Sequence, residues 1–356
     1  MHKNELTAYF TEDTVTALLA WYRANRRALP WRETTDPYRI WLSEIMLQQT
    51  RVEAVKPYYA RFLEAAPTVA DLAALDEARL MKLWEGLGYY SRARNLQKAA
   101  RIVVEQYGGR MPDSYENLLK LPGIGEYTAG AIASIAFGIC VPAVDGNVLR
   151  VLSRVAGSYE DIAEQATKSA FRDALAEVVP TDAGDFTQAM IELGATVCVP
   201  NGEARCGVCP MVSVCEAKRR GLTDELPVRA AKKARRIEKK TVLLIRDGDR
   251  TALHKRPDKG LLAGLYELPN TEGHLGEDEV LSYIRSIGFE PLRLARLEDA
   301  KHIFTHIEWH MIAYDVRITP EFDGYHGASG MLLVPNDEMR ESFAIPSAFS
   351  AYTKYL

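Results

Sequence analysis

Leu121-Pro122-Gly123-Ile124-Gly125-Glu126-Tyr127-Thr128-Ala129 sets two glycines two residues apart, directly ahead of a run rich in small residues. The chain must turn tightly there, and the turn leaves backbone N–H groups pointing outward at a helix N-terminus. Such a turn is a seat for a phosphate. Taken alone, Gly-x-Gly fits a plain connector as well, so its neighbours decide. Leu118-Leu119-Lys120 supplies a turn of helix just before it. The uncharged stretch from Tyr127 to Val144 is full of Ala and Gly and is broken by Gly138 and Pro142, which reads as a buried helix and a turn, not a membrane span.

Moving outward, apolar residues recur at three- and four-residue spacing over Val15 to Trp21, Ile40 to Val55, Leu80 to Trp84 and Leu96 to Val104. Breaks fall at Pro30, Pro67, Gly108-Gly109, Pro122 and Pro180. The texture changes after Cys215. Residues 222–239 are polar and basic, as expected of a linker over a surface. Thr241 to Ile245, then Asp247-Gly248-Asp249, then Thr251 to His254 read as a β-hairpin. Helical spacing returns at Val280, Tyr283, Ile284 and Ile287, and a further strand spans Glu308 to Val316. The fold class is therefore a mainly α N-terminal region followed by an α+β C-terminal domain. At 356 residues and 47% apolar, the chain can bury a core for two or three domains.

A formal net charge of −4 argues against a bulk polyelectrolyte binder, so any nucleic-acid affinity must be local. Arg92 and Arg94 form one basic patch, and Lys232, Lys233, Arg235, Arg236, Lys239 and Lys240 a second, which fits a solvated face equally well. The N-terminus carries Glu5, Glu12 and Asp13 and no apolar core segment, so no signal peptide is visible and a cytoplasmic location is expected.

Four of the five cysteines, Cys198, Cys206, Cys209 and Cys215, share one short stretch with gaps of seven, two and five residues. A compact thiolate cluster of this kind points to a metal or an iron–sulfur centre, not to a disulfide framework. Zinc suits four sulfurs too; the presence of a single Cys-x-x-Cys pair favours iron. Cys140, in an apolar run, is expected to be a small buried residue.

Two carboxylates are placed for chemistry. Glu44 is the single acid among Tyr38, Ile40, Trp41, Leu42, Ile45, Met46 and Leu47, in a helix opened by Asp36-Pro37. Apolar company should raise its pKa, although an exposed helix acid would show the same spacing. Asp145 precedes Gly146-Asn147-Val148 and is expected to cap the next helix, where backbone donors keep a carboxylate ionised. One protonated and one ionised acid are the two parts that cleavage of a glycosidic bond needs.

The glycine turn, Val144-Asp145-Gly146-Asn147-Val148 and the cysteine cluster together resemble the helix-hairpin-helix DNA glycosylase superfamily. Trp31-Arg32, Leu42 to Thr50 and Gly86 to Arg94 are similar to the MutY-type adenine DNA glycosylases of that superfamily, and the similarity runs along nearly the whole chain. The resemblance implies that 1–28 with 138–221 form an iron–sulfur helical domain, 29–137 a six-helix barrel, 222–239 a linker and 240–356 a MutT-like domain. It implies a 4Fe–4S cluster on Cys198, Cys206, Cys209 and Cys215, and backbone contacts to one DNA strand from Gly123, Ile124 and Gly125.

By the same resemblance, Glu44 protonates N7 of a flipped adenine and Asp145 stabilises the oxocarbenium ion or captures it covalently. Tyr127 bonds Asp145, and Asn147 holds the polar network. Tyr127 stands where bifunctional members carry a Schiff-base lysine, so lyase chemistry is expected to be weak or absent. Arg27, Trp31, Arg32, Leu47 and Glu192 are implied to form the adenine pocket, with Glu192 accepting from the amino group. Gln49, Thr50, Leu87 and Tyr89 resemble the wedge beside the opposite base. Gly260 to Pro269 and Phe304-Thr305-His306 are similar to the MutT-like module, in which Thr305 replaces the usual Ser; no Glu-rich Nudix helix follows. The implied partner is duplex DNA with adenine opposite 8-oxoguanine or guanine, bound by a nucleoid-associated monomer with no membrane contact. An endonuclease III-like glycosylase/lyase and a non-catalytic iron–sulfur DNA-damage binder are the alternatives.

Overall fold

The structure, a computed structural model, describes residues 6–230, 234–320 and 330–356. Two units emerge: one joins Met1–Ala74 to Arg94–Ala231, and the other joins Leu75–Ala93 to Lys232–Leu356. Glu5, Lys232 and Lys233 lie outside the described residues.

The helices run in chain order α1 (Glu12–Asn25), α2 (Pro37–Leu47), α3 (Val52–Ala65), α4 (Val69–Ala74), α5 (Glu77–Trp84), α6 (Ser91–Tyr107), α7 (Tyr115–Leu118), α8 (Glu126–Phe137), α9 (Gly146–Val155), α10 (Gln165–Ala176), α11 (Ala183–Thr196) and α12 (Glu216–Arg220). Some of their starts follow side-chain chemistry. Asp36 caps α2 by accepting from the Tyr38 and Arg39 amides, with Pro37 at the first turn, and Asp145 caps α9. Gly138 ends α8 in the left-handed region at φ +66°. The Tyr127 to Val144 stretch is thus the buried helix and turn expected from its composition.

In α2, Tyr38 and Ile40 through Met46 are all buried, so this helix lies inside the unit against α3 and α8. Residues of α1, α9, α10 and α11 share a second core around Leu18, Tyr22, Leu152, Phe171 and Phe186. Helix α11 crosses α9 at Gly194, where a Cβ would stand 2.5 Å from Asn147 Cβ and 2.9 Å from Asn147 O. Glycine is required there by contact with the neighbouring backbone.

The second unit is α+β, as expected. Strands β1 (Arg236–Asp247), β2 (Arg250–Lys255), β3 (Tyr266–Glu267), β4 (Asn270–Glu272), β5 (Pro291–Arg296), β6 (Ala300–Ile303), β7 (Ile307–Ile318) and β8 (Met331–Pro335) form one mixed sheet, with α13 (Glu277–Ser286), α14 (Asn336–Ser342) and α15 (Ser350–Thr353). The central path is β3-β2-β1-β7-β5; β1 and β7 are parallel, with Val242 opposite Ala313. The hairpin closes with Asp247 opposite Arg250. Along β1, Val242 and Leu244 enter one apolar core while Leu243 and Ile245 enter another, so the strand is covered on both faces.

Three expectations change. Residues 222–239 divide: Leu226 O accepts Arg154 Nε at 2.8 Å, Val228 O accepts the Ile162 amide at 3.2 Å and Asp161 accepts the Ala230 amide at 2.9 Å, while Arg236 already begins β1. Two donors and one acceptor of the helical unit hold what reads as a surface linker. Leu75–Ala93, expected within the barrel, groups with the sheet unit. Cys140 is exposed, because it falls in the turn after Gly138 has ended α8.

Candidate active site

Glu44 is buried in the middle of α2, and its Oε2 accepts the Tyr127 hydroxyl at 2.6 Å. Burial pushes its carboxyl up to about 7; the bond from Tyr127 and the Arg32 charge pull down, and the nearby Asp145 charge pushes up. Near neutral pH it therefore holds a proton in a substantial share of molecules.

Asp145 is fixed by its own helix. Its Oδ1 accepts the Asn147 and Val148 amides, both at 2.8 Å, and Oδ2 accepts Asn147 Nδ2 at 2.7 Å. Burial raises this carboxyl too, opposed by those donors and by the Arg150 charge. The cap alone was expected to keep Asp145 ionised; burial is a competing effect that local sequence did not disclose. Arg150 donates to Asn147 Oδ1 at 2.9 Å, Gly194 O at 2.8 Å and Cys198 O at 2.8 Å, tying the cap to α11 and to the first cysteine.

Tyr127 was expected to bond Asp145 and instead bonds Glu44. The Asp145 oxygens already accept donors from α9, whereas α8, which carries Tyr127, packs directly on α2. Burial, reinforced by both carboxylates, pushes the Tyr127 hydroxyl well above its ordinary range, so it stays a donor.

A cavity of about 540 Å3 is lined by Arg27, Trp31, Arg32, Glu44, Leu47, Gln49, Thr50, Tyr127, Asp145 and Asn147. Glu192 is not on its wall. Fully buried, Glu192 accepts Arg27 N at 3.1 Å and Arg27 Nε at 2.8 Å on Oε1, and Arg27 Nη2 and Arg32 Nη2 at 2.7 Å on Oε2. Burial works to raise its pKa, but these bonds and charges overcome it and hold the carboxyl down at about 2. All four of these bonds come from the two arginines. Gln188, Ile191 and Ala195 also line the cavity. Sequence reasoning missed them as wall residues, although their spacing of three and four on α11 puts them on one face.

At the glycine turn, Gly123 adopts φ +79°, and a Cβ there would sit 2.8 Å from Asn95 Cβ. Ile124 is buried and Gly125 caps α8. Glu126, an unfavourable charge for a phosphate seat, is ion-paired with Arg172. Gln49, just past α2, has φ +57°.

In the sheet unit, Leu87 is buried and Tyr89 is 48% exposed with φ +47°. Its hydroxyl is 2.8 Å from Thr305 Oγ1. Thr305 and His306 are exposed in the β6–β7 loop, and Phe304 packs edge-on to Trp309 at 4.9 Å. Arg92, expected in a surface patch, instead donates to Leu87 O at 2.8 Å and Gly88 O at 3.1 Å, over the Trp84 ring. Burial lowers its pKa to about 10. It holds the loop of Leu87 and Gly88 from within.

All four clustered cysteines line one apolar cavity with Val151, Leu193 and Met211. Arg205 N bonds Val197 O at 3.0 Å, which closes the seven-residue gap into a loop. Arg154 Nη1 lies 3.3 Å from Cys198 Sγ. Among the described residues no group of three or more His, Cys, Asp or Glu is arranged to hold a single metal ion. Four soft thiols around a shared space are a donor set that fits a thiolate-held metal centre.

Residues 42–179 match the HhH-GPD superfamily base excision DNA repair protein family, and residues 241–355 match the NUDIX domain. The chain is 37% identical over 350 residues to an adenine DNA glycosylase of Mus musculus, spanning 82% of this chain and 68% of that protein. It is 33% identical over 296 residues to an adenine DNA glycosylase of Buchnera aphidicola subsp. Baizongia pistaciae (strain Bp), spanning 82% of each. A solved thermostable thymine-DNA glycosylase superposes with a TM-score of 0.53 at 29% identity, over 61% of this chain and 98% of that one. The chain belongs to the adenine DNA glycosylase family, and is an N-glycosylase of DNA base excision repair. Among the described residues no helix is long and apolar enough to cross a membrane.

Proposed function

We propose that this enzyme flips adenine from duplex DNA where it faces 8-oxoguanine or guanine, and cleaves its glycosidic bond without cutting the strand. The observation that carries the reading is two carboxyls on one cavity, Glu44 buried and poised at about 7 and Asp145 half-buried. Glu44 donates its proton to N7 and turns the base into a leaving group; Tyr127, donating to the other state of that carboxyl, stabilises it once the proton has gone. Asp145, aimed by Asn147 and the α9 amides, stabilises the oxocarbenium ion or captures it before water does. Trp31 and Leu47 sandwich the base, and Arg27 and Arg32, aligned by Glu192, face its edge.

Gln49, Thr50, Leu87 and Tyr89 fill the gap beside the opposite base, which Phe304, Thr305 and His306 read. Gly123, Ile124 and Gly125 hold one strand through the backbone. Cys198, Cys206, Cys209 and Cys215 hold a 4Fe–4S cluster as a structural clasp, since base excision needs neither an electron nor a Lewis acid.

Duplex carrying adenine opposite 8-oxoguanine, incubated with the enzyme and then treated with hot alkali, tests the reading. Strand cleavage only after alkali is expected. Cleavage without alkali would identify a lyase, and no cleavage at all would leave a DNA binder.

A further inference from the structure

Leu75–Ala93 joins the sheet unit at two points. At one, Tyr89 reaches Thr305. At the other, the end of α5 grips the chain just after α14. Lys82 Nζ donates to Phe343 O at 3.0 Å and pairs with Glu85 Oε2 at 2.6 Å, while Glu85 Oε1 accepts the Ile345 amide at 2.8 Å. The two side chains are only 19% and 30% exposed, so water competes weakly for these bonds.

Both ends of this arrangement lead to the same place. Ile345 lies in the apolar core that contains Trp309, and Phe304 packs on that core directly before Thr305. From Glu85, only Gly86, Leu87 and Gly88 intervene before Tyr89, and the two glycines have φ of +95° and +69°. Arg92 and Trp84 hold the Leu87 and Gly88 carbonyls of this loop, and the two glycines leave its placement to the point where its base at Glu85 is fixed.

We infer that the Lys82–Glu85 clasp determines base-partner specificity by positioning Tyr89 against Thr305. The inference rests on the reading of Phe304, Thr305 and His306 as the opposite-base reader. Neither Lys82 nor Glu85 lies on the adenine cavity, so both are positioning residues and leave the chemistry at Glu44 untouched.

The test is the ratio of single-turnover excision rates for adenine opposite 8-oxoguanine and adenine opposite guanine, at saturating enzyme. Glu85→Ala and Lys82→Met should each lower the ratio by up to the few-fold that Thr305→Ala costs, while excision opposite guanine stays within about twofold. Lys82→Arg, which keeps a donor for Phe343 O, should restore it. In a Thr305→Ala background Glu85→Ala should add nothing, because both act through one contact. If Glu85→Ala fails to fold, Lys82→Met, which keeps the Glu85–Ile345 bond, carries the test. An unchanged ratio in a folded clasp variant, or effects of Glu85→Ala and Thr305→Ala that multiply, overturns the clasp alone. A wild-type ratio of about one overturns the opposite-base reading beneath it.

Discussion

Two buried glutamates of the helical unit, Glu44 on α2 and Glu192 on α11, have opposite fates. Glu44 meets one hydroxyl donor and apolar walls, and its carboxyl rises to about 7; Glu192 meets two guanidinium groups and falls to about 2. Burial penalises both anions, so burial does not separate them. What separates them is the count and charge of donors on each carboxylate. The lesson is that one residue type gives a carboxyl that holds a proton near neutral pH on the cavity and a permanent anion behind it.

The sharpest attempt to break this comparison is Glu44→Gln, which should cut adenine release by about 10²- to 10⁴-fold while duplex binding persists. Base release and a gel-shift measured on the same preparation check it, and near-normal release would remove Glu44 from the reaction. Next is Arg32→Met. Because Arg32 is only 8% exposed and Glu192 not at all, loss of this partner should destabilise the fold by about 1.5–3 kcal/mol, with Arg27 still pairing the acid, read by urea unfolding. Arg27, at 38% exposed, should cost less when removed in the same way.

The pH profile sharpens the contrast further. A donor whose pKa is raised is competent below that pKa, so single-turnover excision should hold at lower pH and fall about tenfold per unit once pH rises past about 7. A flat profile to pH 9 would mean that Glu44 is not the limiting donor. The smallest effect should come from the sheet unit, where Thr305→Ala should lower the preference for 8-oxoguanine over guanine by a few-fold, about 1 kcal/mol for one hydrogen bond.

Local signals in the chain were reliable where the cause is local. The Asp36 and Asp145 caps, the apolar ring around Glu44, the Asp247 hairpin and the left-handed Gly123 follow from neighbours in sequence. The partners of Tyr127, Glu192 and Arg92 did not follow. Glu192 and Arg27 are 165 residues apart, and no periodicity records that two arginines will close over one acid. Tyr127 shows the same limit: its hydroxyl was assigned to the wrong carboxylate because the α2–α8 packing, not the spacing to Asp145, sets its reach. Arg92 reads as a surface cation by composition and becomes a loop anchor by folding onto Trp84.

Gly194 gives the active site a fixed gauge. Where α9 and α11 touch through main chain, the helix bearing Asp145 and the helix bearing Gln188 and Ile191 cannot approach further, and any added methyl would prise them apart. The width of the cavity is therefore set by this close approach of two helices rather than by interchangeable side chains. Remodelling it for a bulkier base means carving Ile191 or Leu47, because the frame between the helices has no adjustment left.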